Sequence, residues 1–198
     1  PYPLDVTDET ALAQLAEQVR QQYGRLDLVL LNAGTCEYVQ AHSLDLSAFA
    51  RTFALNVQAV VACTRYFLPL LPRGGQLAIV SSLAHLFPFS RSEAYGASKA
   101  AISYFTDSLR ADLASSGIAV CLIEPGFVDT PLTQKNDFPM PFLLSASDAA
   151  VRIADQLANR ALRVRFPKRL VLSLHLLRVL PYALRTKLAA KMAGQTGD

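Results

Sequence analysis

The sequence has little of several residue types that mark particular protein classes. It contains no tryptophan and only 3 cysteines in 198 residues. The cysteines, Cys36, Cys63 and Cys121, lie far apart and match no metal-ligand or redox spacing, which argues against a zinc module or a disulfide scaffold. We therefore expect buried, reduced thiols, no metal site and a cytoplasmic location. No signal-peptide pattern opens the chain, and its first residue is Pro1 rather than Met.

A large excess of charge of one sign is also missing. The formal net charge is +3, and the 19 Lys and Arg residues are scattered until the tail. Because no basic face precedes the tail, we expect no nucleic-acid partner. The hydrophobic content of 52% suits a single globular domain over residues 1–198.

The tail, residues 168–198, has no long apolar run. Its longest charge-free apolar stretch, 170–177, is far shorter than the ~20 residues that a membrane span requires, so we expect no transmembrane span. Leucines are mixed there with basic residues: Lys168, Arg169, Arg178, Arg185, Lys187 and Lys191. We interpret the tail as a basic amphipathic helical extension. It either packs as a helical pair on its own fold or a partner subunit, which we favour, or rests on anionic lipid.

What the sequence does contain is an alternation of helical and strand patterns. The first helix has Thr7 available as N-cap and ends at Gly24, and the run 26–34 resembles a strand buried on both faces. The further pattern is helix 47–70, strand 75–84, helix 94–117, strand 118–126, helix 148–159 and strand 161–167. This order predicts an α/β fold with a Rossmann-like, doubly wound parallel sheet.

Polar residues gather where the predicted strands end, which is the working edge of such sheets. Tyr95 and Lys99 are four residues apart and therefore share one helix face. A phenol has an ordinary pKa of about 10, and we expect the nearby Lys99 ammonium to lower the pKa of Tyr95 toward neutrality. The Ser82 hydroxyl is then placed to hold a substrate carbonyl while a nicotinamide supplies hydride.

Each of these features also has a simpler explanation when taken alone. A Tyr-x-x-x-Lys pair is weak evidence by itself, Ser82 can cap local backbone at a strand end, and residues 32–34 can form a turn. Their combination, in the order that a doubly wound sheet requires, favours a catalytic site.

The motifs LDVTD, NAG, LNVQAV, IVSSLA, YGASKA and PGFVDTPL, over about residues 4–133, resemble the short-chain dehydrogenase/reductase family. The resemblance implies an NAD(P)-dependent oxidoreductase that interconverts a secondary alcohol and a ketone. It also implies Ser82 as the catalytic serine, thirteen residues before Tyr95. In this family the long helix and the helix carrying Tyr95 form the usual dimer face, so the resemblance implies a homo-oligomer, a dimer or tetramer.

The same resemblance assigns roles to residues at matched positions. It implies four catalytic residues: Ser82, Tyr95, Lys99 and Asn56, the last kinking the long helix and holding a water behind the lysine. It implies cofactor contacts at Asp5, Val6, Asn32, Ala33, Gly34, Tyr95, Lys99, Pro125, Gly126, Val128 and Thr130. Asp5 and Val6 would meet the adenine, and Val128 and Thr130 the nicotinamide carboxamide. Alternatively, Asp5 begins a helix, Asn56 is a tolerated polar residue, and Thr130 caps a helix.

The chain departs from the family at its start. It has no Gly-x-x-x-Gly-x-Gly turn, which in the family brings the dinucleotide pyrophosphate to a helix N-terminus. We therefore expect an N-terminally incomplete Rossmann-like fragment that binds NADP or NAD poorly and aggregates. The cofactor is NADP or NAD, with a slight preference for NADP. Two alternatives to the enzyme stay open: a catalytically silent binding or scaffold protein, and a peripheral membrane protein that uses the basic tail.

Substrate signals are few and apolar. Residues near the expected pocket are Leu86, Phe87, Pro88 and Phe89, with Phe138, Met140 and Phe142 on a later loop. They favour an apolar carbonyl or alcohol as the small-molecule substrate. We interpret His85 as a pocket wall rather than a second base, and expect His42 and His175 to form no ligand set with it.

Overall fold

The computed structural model describes residues 1–194, so residues 195–198 of the predicted tail helix lie outside the described residues. Its main sheet has four parallel strands in the order β1-β2-β3-β6. These are β1 (Leu28–Leu31), β2 (Gln76–Val80), β3 (Ala119–Pro125) and β6 (Arg163–Phe166). A separate short parallel pair joins β4 (Val128–Asp129) to β5 (Leu144–Ser145). The predicted Rossmann-like α/β fold is confirmed.

Helices connect these strands and pack on both sides of the sheet. They are α1 (Glu9–Tyr23), α2 (Leu46–Phe53), α3 (Ala59–Phe67), α4 (Glu93–Asp112), α5 (Ala146–Ala158), α6 (Lys168–Arg178) and α7 (Tyr182–Gly194). Strands β2 and β3 are almost fully buried, and their side chains alternate between two apolar layers. Leu77 and Ile79 pack toward Ile102 of α4, whereas Ala78 of β2 and Ile123 of β3 pack in the layer that α5 covers.

The N-cap of α1 differs from the prediction. Asp8, not Thr7, caps the helix, because the Asp8 carboxylate accepts a hydrogen bond from Ala11 N at 3.0 Å. The Thr7 hydroxyl donates instead to Asp5 Oδ1 at 2.8 Å. The predicted stop at Gly24 is confirmed, since Gly24 has φ +75°, a conformation that costs glycine little.

Three other predicted boundaries were wrong. The strand predicted over 75–84 ends at Val80, and Leu83–Leu86 form a 3-10 helix instead. The run 26–34 is a four-residue strand buried on one face only, with Leu28 and Leu30 45% and 44% exposed. The reason is its place at the edge of the described sheet, where α3 covers one face. Helix α4 ends at Asp112 rather than Gly117, and a turn over residues 113–117 leads to β3.

The predicted long helix is interrupted at its centre. Between α2 and α3 the backbone forms a π-helical turn, Ala54–Gln58, with buried Asn56 at its middle. By length and composition alone, Leu46–Leu70 is apolar enough to cross a membrane. Its contacts with α1, α4 and β1, together with its buried polar side chains, also fit a core helix. The absence of a membrane span stays a prediction.

The tail forms the expected pair of helices, α6 and α7. Leu170 and Leu174 of α6 are buried against Leu83 and Phe87 in the loop that follows β2. Helix α6 therefore packs on its own fold, next to the carboxyl edge of the sheet where the predicted catalytic residues lie.

Candidate active site

The end of β2 and the first half of α4 are joined by serine hydroxyls. Ser81 Oγ lies 2.7 Å from Ser103 Oγ, and both hydroxyls are within 3.0 Å of the Lys99 carbonyl oxygen. Ser98 Oγ donates to the Tyr95 carbonyl oxygen at 2.7 Å. The contacts of Ser81 fix the helix carrying Tyr95 and Lys99 against the segment that follows β2.

The structure brings the three predicted side chains together. Lys99 Nζ lies 5.8 Å from the centre of the Tyr95 ring and donates to the Val80 carbonyl oxygen at 3.1 Å. Ser82 is close enough to act on Tyr95 by hydrogen bonding, and both residues line one cavity. Ser82 Oγ also accepts from Ala84 N at 3.1 Å, so its local capping role and its place in the site coexist.

The expected acidification of Tyr95 was wrong. Burial raises the pKa of Tyr95 to about 12, and the opposing hydrogen bond with Ser82 does not offset that burial. Burial also lowers the pKa of the neighbouring Lys99 amine to about 8. The phenol is therefore a group that keeps its proton at neutral pH, which suits a proton donor better than a proton acceptor.

Asn56 and Lys99 border the same small space beside Gly34. Asn56 Oδ1 accepts from Thr35 N at 2.8 Å, and its Nδ2 donates to Thr35 O and Ser98 Oγ, both at 2.9 Å. A Cβ placed on Gly34 would lie 3.2 Å from Asn56 Oδ1 and 3.4 Å from Lys99 Nζ. The asparagine therefore ties the loop after β1 to α4. Its water-holding role stays a prediction.

We expect Gly34→Ala to reduce activity because the added methyl group crowds Asn56 and Lys99. If Lys99 is the catalytic amine that the resemblance implies, its displacement by a few tenths of an ångström is expected to lower kcat by about tenfold or more. Steady-state kinetics measures this, with Gly24→Ala as the matched control, since a Cβ there meets nothing within 4 Å although its φ is strained. Wild-type kcat in Gly34→Ala would contradict the packing argument.

The residues predicted to hold a dinucleotide lie along the carboxyl edge. Asn32 and Ala33 follow β1 and, with Val6, border a groove of about 220 Å³. Asp5 is exposed, and hydrogen bonds from the backbone and side chain of Thr7 lower its pKa. The roles of these residues stay predictions.

The remaining predicted cofactor residues follow β3. Pro125 ends that strand, and Gly126 N donates to the Phe166 carbonyl oxygen at 2.8 Å. Val128 belongs to the short strand β4, and Thr130 N donates to Thr133 Oγ1 at 3.0 Å within a local turn. Of these four residues, Gly126 lines the cavity that contains Tyr95, whereas Pro125, Val128 and Thr130 do not.

The donor set fits a nicotinamide dinucleotide. Within residues 1–194, the buried Lys99 ammonium has a single hydrogen-bond acceptor, the Val80 carbonyl oxygen. An ammonium carries three N–H donors, and a buried donor without a partner is costly. The hydroxyl groups of a ribose would satisfy the other two donors.

A mostly apolar cavity of about 500 Å³ opens beside Ser82 and Tyr95. Of the predicted apolar residues, it is lined by Phe87, Pro88, Phe89, Phe138 and Phe142. Leu86 packs in the core beside Phe87, and Met140 accepts a hydrogen bond from Asn136 Nδ2, so both lie next to lining residues without lining the cavity themselves. Sequence reasoning missed the part played by the tail, whose α6 and α7 form another wall.

Sequence reasoning also missed a buried ionic cluster beneath the loop that begins at Ser82. His85 does not line the cavity, because its Nε2 hydrogen-bonds to Glu124, which is fully buried. Arg165 donates to both Glu124 oxygens, at 2.6 and 3.1 Å, and Arg163 lies 3.3 Å from the same carboxylate. His175 of α6 contacts Arg165 at 3.0 Å.

The cluster sets the charge of Glu124 and the position of the hydrogen on His175. Burial alone would raise the pKa of Glu124, but hydrogen bonds from His85 and Arg165 and the arginine charges together lower it. His175 Nδ1 lies 2.8 Å from the Val171 carbonyl oxygen, so it carries the hydrogen, and Nε2 accepts from Arg165. Glu124 therefore connects the Ser82 loop, β6 and α6. Within the described residues no cluster of three metal-ligating side chains occurs.

Comparison with known proteins shows the family. The model of the short chain dehydrogenase family matches residues 1–139. An "Uncharacterized oxidoreductase" of Myxococcus xanthus is 36% identical over 183 residues, which cover 91% of this chain and 72% of that protein. The benzil reductase ((S)-benzoin forming) of Saccharomyces cerevisiae is 35% identical over 137 residues, covering 65% of this chain and 52% of the yeast protein.

Solved structures agree with this assignment. A short-chain dehydrogenase from Streptomyces avermitilis superposes with a TM-score of 0.77 at 26% identity, covering 100% of this chain and 80% of that one. A short chain dehydrogenase from Burkholderia cenocepacia in complex with NADP gives a TM-score of 0.71 at 26% identity, covering 82% and 72%. The chain therefore belongs to the short-chain dehydrogenase family of oxidoreductases.

Proposed function

We propose that the protein reduces an apolar ketone to a secondary alcohol with NADPH or NADH. The observation that carries this proposal is the meeting of Ser82, Tyr95 and Lys99 beside one apolar cavity. A bound nicotinamide would supply the hydride. The protein's own part is to hold the carbonyl oxygen and to give it a proton.

Tyr95 has the protonation state that ketone reduction needs. With a pKa raised to about 12, its phenol is protonated at neutral pH and can donate to the oxygen that becomes an alkoxide. Ser82 donates a second hydrogen bond to the same oxygen. Lys99, with its pKa lowered to about 8, is mostly protonated at neutral pH and stabilises the phenolate as the proton leaves. The reverse reaction, alcohol oxidation, requires the phenolate and is expected to need higher pH.

The substrate class follows from the cavity. Phenylalanine and leucine are the commonest side chains in its lining, and Arg91, the one cation among the described lining residues, is paired with Asp137. A cavity of about 500 Å³ suits a drug-sized apolar molecule. Preference for NADP is supported by the NADP complexes of similar proteins from Burkholderia cenocepacia and Pseudomonas aeruginosa.

A substrate panel tests the proposal. We expect bulky aromatic or alicyclic ketones to be reduced with a kcat/KM at least about 10²-fold above that of small charged keto acids, because only apolar groups gain from burial in the cavity. The loss of nicotinamide absorbance is followed with NADPH and with NADH. Activity confined to charged keto acids would contradict the substrate class, and tight cofactor binding without turnover of any ketone would favour a silent binding protein.

Two further proposals concern the setting of the protein. We expect a homo-oligomer built on the outer faces of α3 and α4, where Val61 and Tyr104 are exposed. We also expect a reducing, cytoplasmic location, which the free thiols support. Cys63 and Cys121 are buried as predicted, although Cys36 is only half-buried at the cavity.

A further inference from the structure

Helix α6 has a second apolar stripe on the side away from the protein. Its inner stripe, Leu170 and Leu174, is buried. Its outer stripe consists of Leu172, Leu176 and Val179, which are 62%, 60% and 80% exposed. Positions 172, 176 and 179 follow helical spacing and share one face. An exposed apolar stripe of this kind marks an interaction surface.

Positive charge surrounds the outer stripe. Lys168 and Arg169 are exposed in the first turn of α6, on the same side as Leu172. Arg178, Arg185, Lys187 and Lys191 add to them along the two tail helices, and residues 168–194 contain no Asp or Glu. The surface therefore combines apolar side chains with cations alone.

This combination selects among possible occupants. A second copy of the same surface would bring its cations against identical cations, which is unfavourable. A nucleic acid would neutralise the charges but would leave the leucine stripe against phosphates and water. An anionic lipid surface satisfies both features, because the leucines enter the acyl boundary while lysine and arginine meet the headgroups.

We propose that the outer face of α6, together with α7, docks the protein on anionic membrane surfaces. The cavity has the same helices as one wall: Leu170, Leu174 and Leu177 from α6, Ala189 and Met192 from α7. Met192 is 44% exposed and therefore lies at the rim. Docking would place this rim beside the lipid and give apolar molecules a route from the bilayer to Tyr95. That last step rests on the proposed reductase function, whereas the docking itself does not.

Vesicle co-sedimentation of the full chain tests the docking. Wild-type protein is expected to bind vesicles of equal parts phosphatidylcholine and phosphatidylglycerol and to stay unbound with phosphatidylcholine alone. The variant Leu172→Gln/Leu176→Gln/Val179→Gln is expected to lower the partition coefficient by about tenfold or more, because it removes the apolar contact. The variant Lys168→Gln/Arg169→Gln is expected to lower it by about fivefold for each charge.

The matched control is Leu44→Gln/Leu46→Gln/Val151→Gln, which changes three exposed apolar residues elsewhere and is expected to leave binding unchanged. Circular dichroism checks that each variant is folded. If the leucine variant does not fold, the charge variant still tests the proposal. Wild-type binding in both tail variants would overturn the proposal, as would absence of binding to anionic vesicles. A leucine variant that changes the oligomeric state without vesicles would assign the face to a second copy instead. Because the readout is sedimentation, an inactive enzyme leaves this test unaffected.

Discussion

Tyr95→Phe is expected to lower kcat for ketone reduction by about 10²–10⁴-fold, since general acid catalysis contributes on that scale. The variant loses only the phenolic oxygen, so the ring packing against Lys99 is retained. Cofactor affinity is expected to change little, because the ammonium that we assign to the ribose is still present. Single-turnover reduction of an apolar ketone, together with a nicotinamide fluorescence titration, separates the two effects.

The matched control is Tyr23→Phe on α1, whose side chain is 58% exposed and does not line the cavity. It is expected to behave as wild type. If Tyr95→Phe kept full turnover, another group would have to supply the proton, and the proposed reaction would be wrong. If the variant lost cofactor binding as well as turnover, the main role of Tyr95 would be to bind the cofactor rather than to transfer a proton.

Glu124→Gln is expected to cost about 1–3 kcal/mol of unfolding free energy, because the arginines it leaves are 35% and 20% exposed and Arg163 keeps its ion pair with Asp107. Glutamine has nearly the same shape, but it removes the charge that compensates Arg163 and Arg165. The carboxylate is fully buried, so solvent does not replace it. Urea unfolding at neutral pH measures the loss, and Asp155→Asn on the exposed side of α5 is the control.

The same residue gives a signed pH dependence. The pKa of Glu124 is lower in the folded protein than its ordinary value of 4.5. The stabilisation is therefore fully present above about pH 4.5 and is lost as pH falls through the lower, folded value. Glu124→Gln is expected to remove this part of the acid sensitivity. Equal acid sensitivity in both proteins would mean that Glu124 does not carry it.

The fold could be predicted from the sequence because apolar residues repeat with different periods in its helices and its strands. Apolar runs such as 77–80 are short and continuous, whereas α4 repeats its apolar residues at helical spacing, and glycines follow the ends of some elements. The burial of each strand was less accessible. Leu28 and Leu30 are apolar enough for a central strand, yet the exposure of an apolar residue depends on which element lies beside it.

The identity of the site residues was also accessible, but their electrostatics were not. The spacing of Tyr95 and Lys99 predicts that they share a helix face, and they do. Spacing does not reveal burial, and here burial raises the pKa of Tyr95 more than the hydrogen bond with Ser82 lowers it. Tyr95 is therefore a proton donor, whereas the sequence predicted a phenol whose pKa lies close to neutral pH.

The buried ion pairing of Glu124 could in part have been predicted from the sequence. It is a single acidic residue inside the apolar strand 119–125, and such a residue needs a buried partner. The pattern Arg163-Val164-Arg165 supplies two cations on the shorter strand β6. Pairing across strands forty residues apart depends on the sheet order, which places β6 beside β3. The order had to be known before the pair could be assigned.

The central claim is that Tyr95 is a half-buried phenol that keeps its proton until it gives it to a ketone oxygen. The most direct test is a ¹³C NMR titration of the protein labelled at the tyrosine ring carbon bonded to oxygen, with Tyr95→Phe used to assign the signal. We predict that the Tyr95 signal stays at its protonated position well beyond the ordinary tyrosine pKa of 10, toward the value of about 12. A signal that titrates near neutral pH would contradict the account.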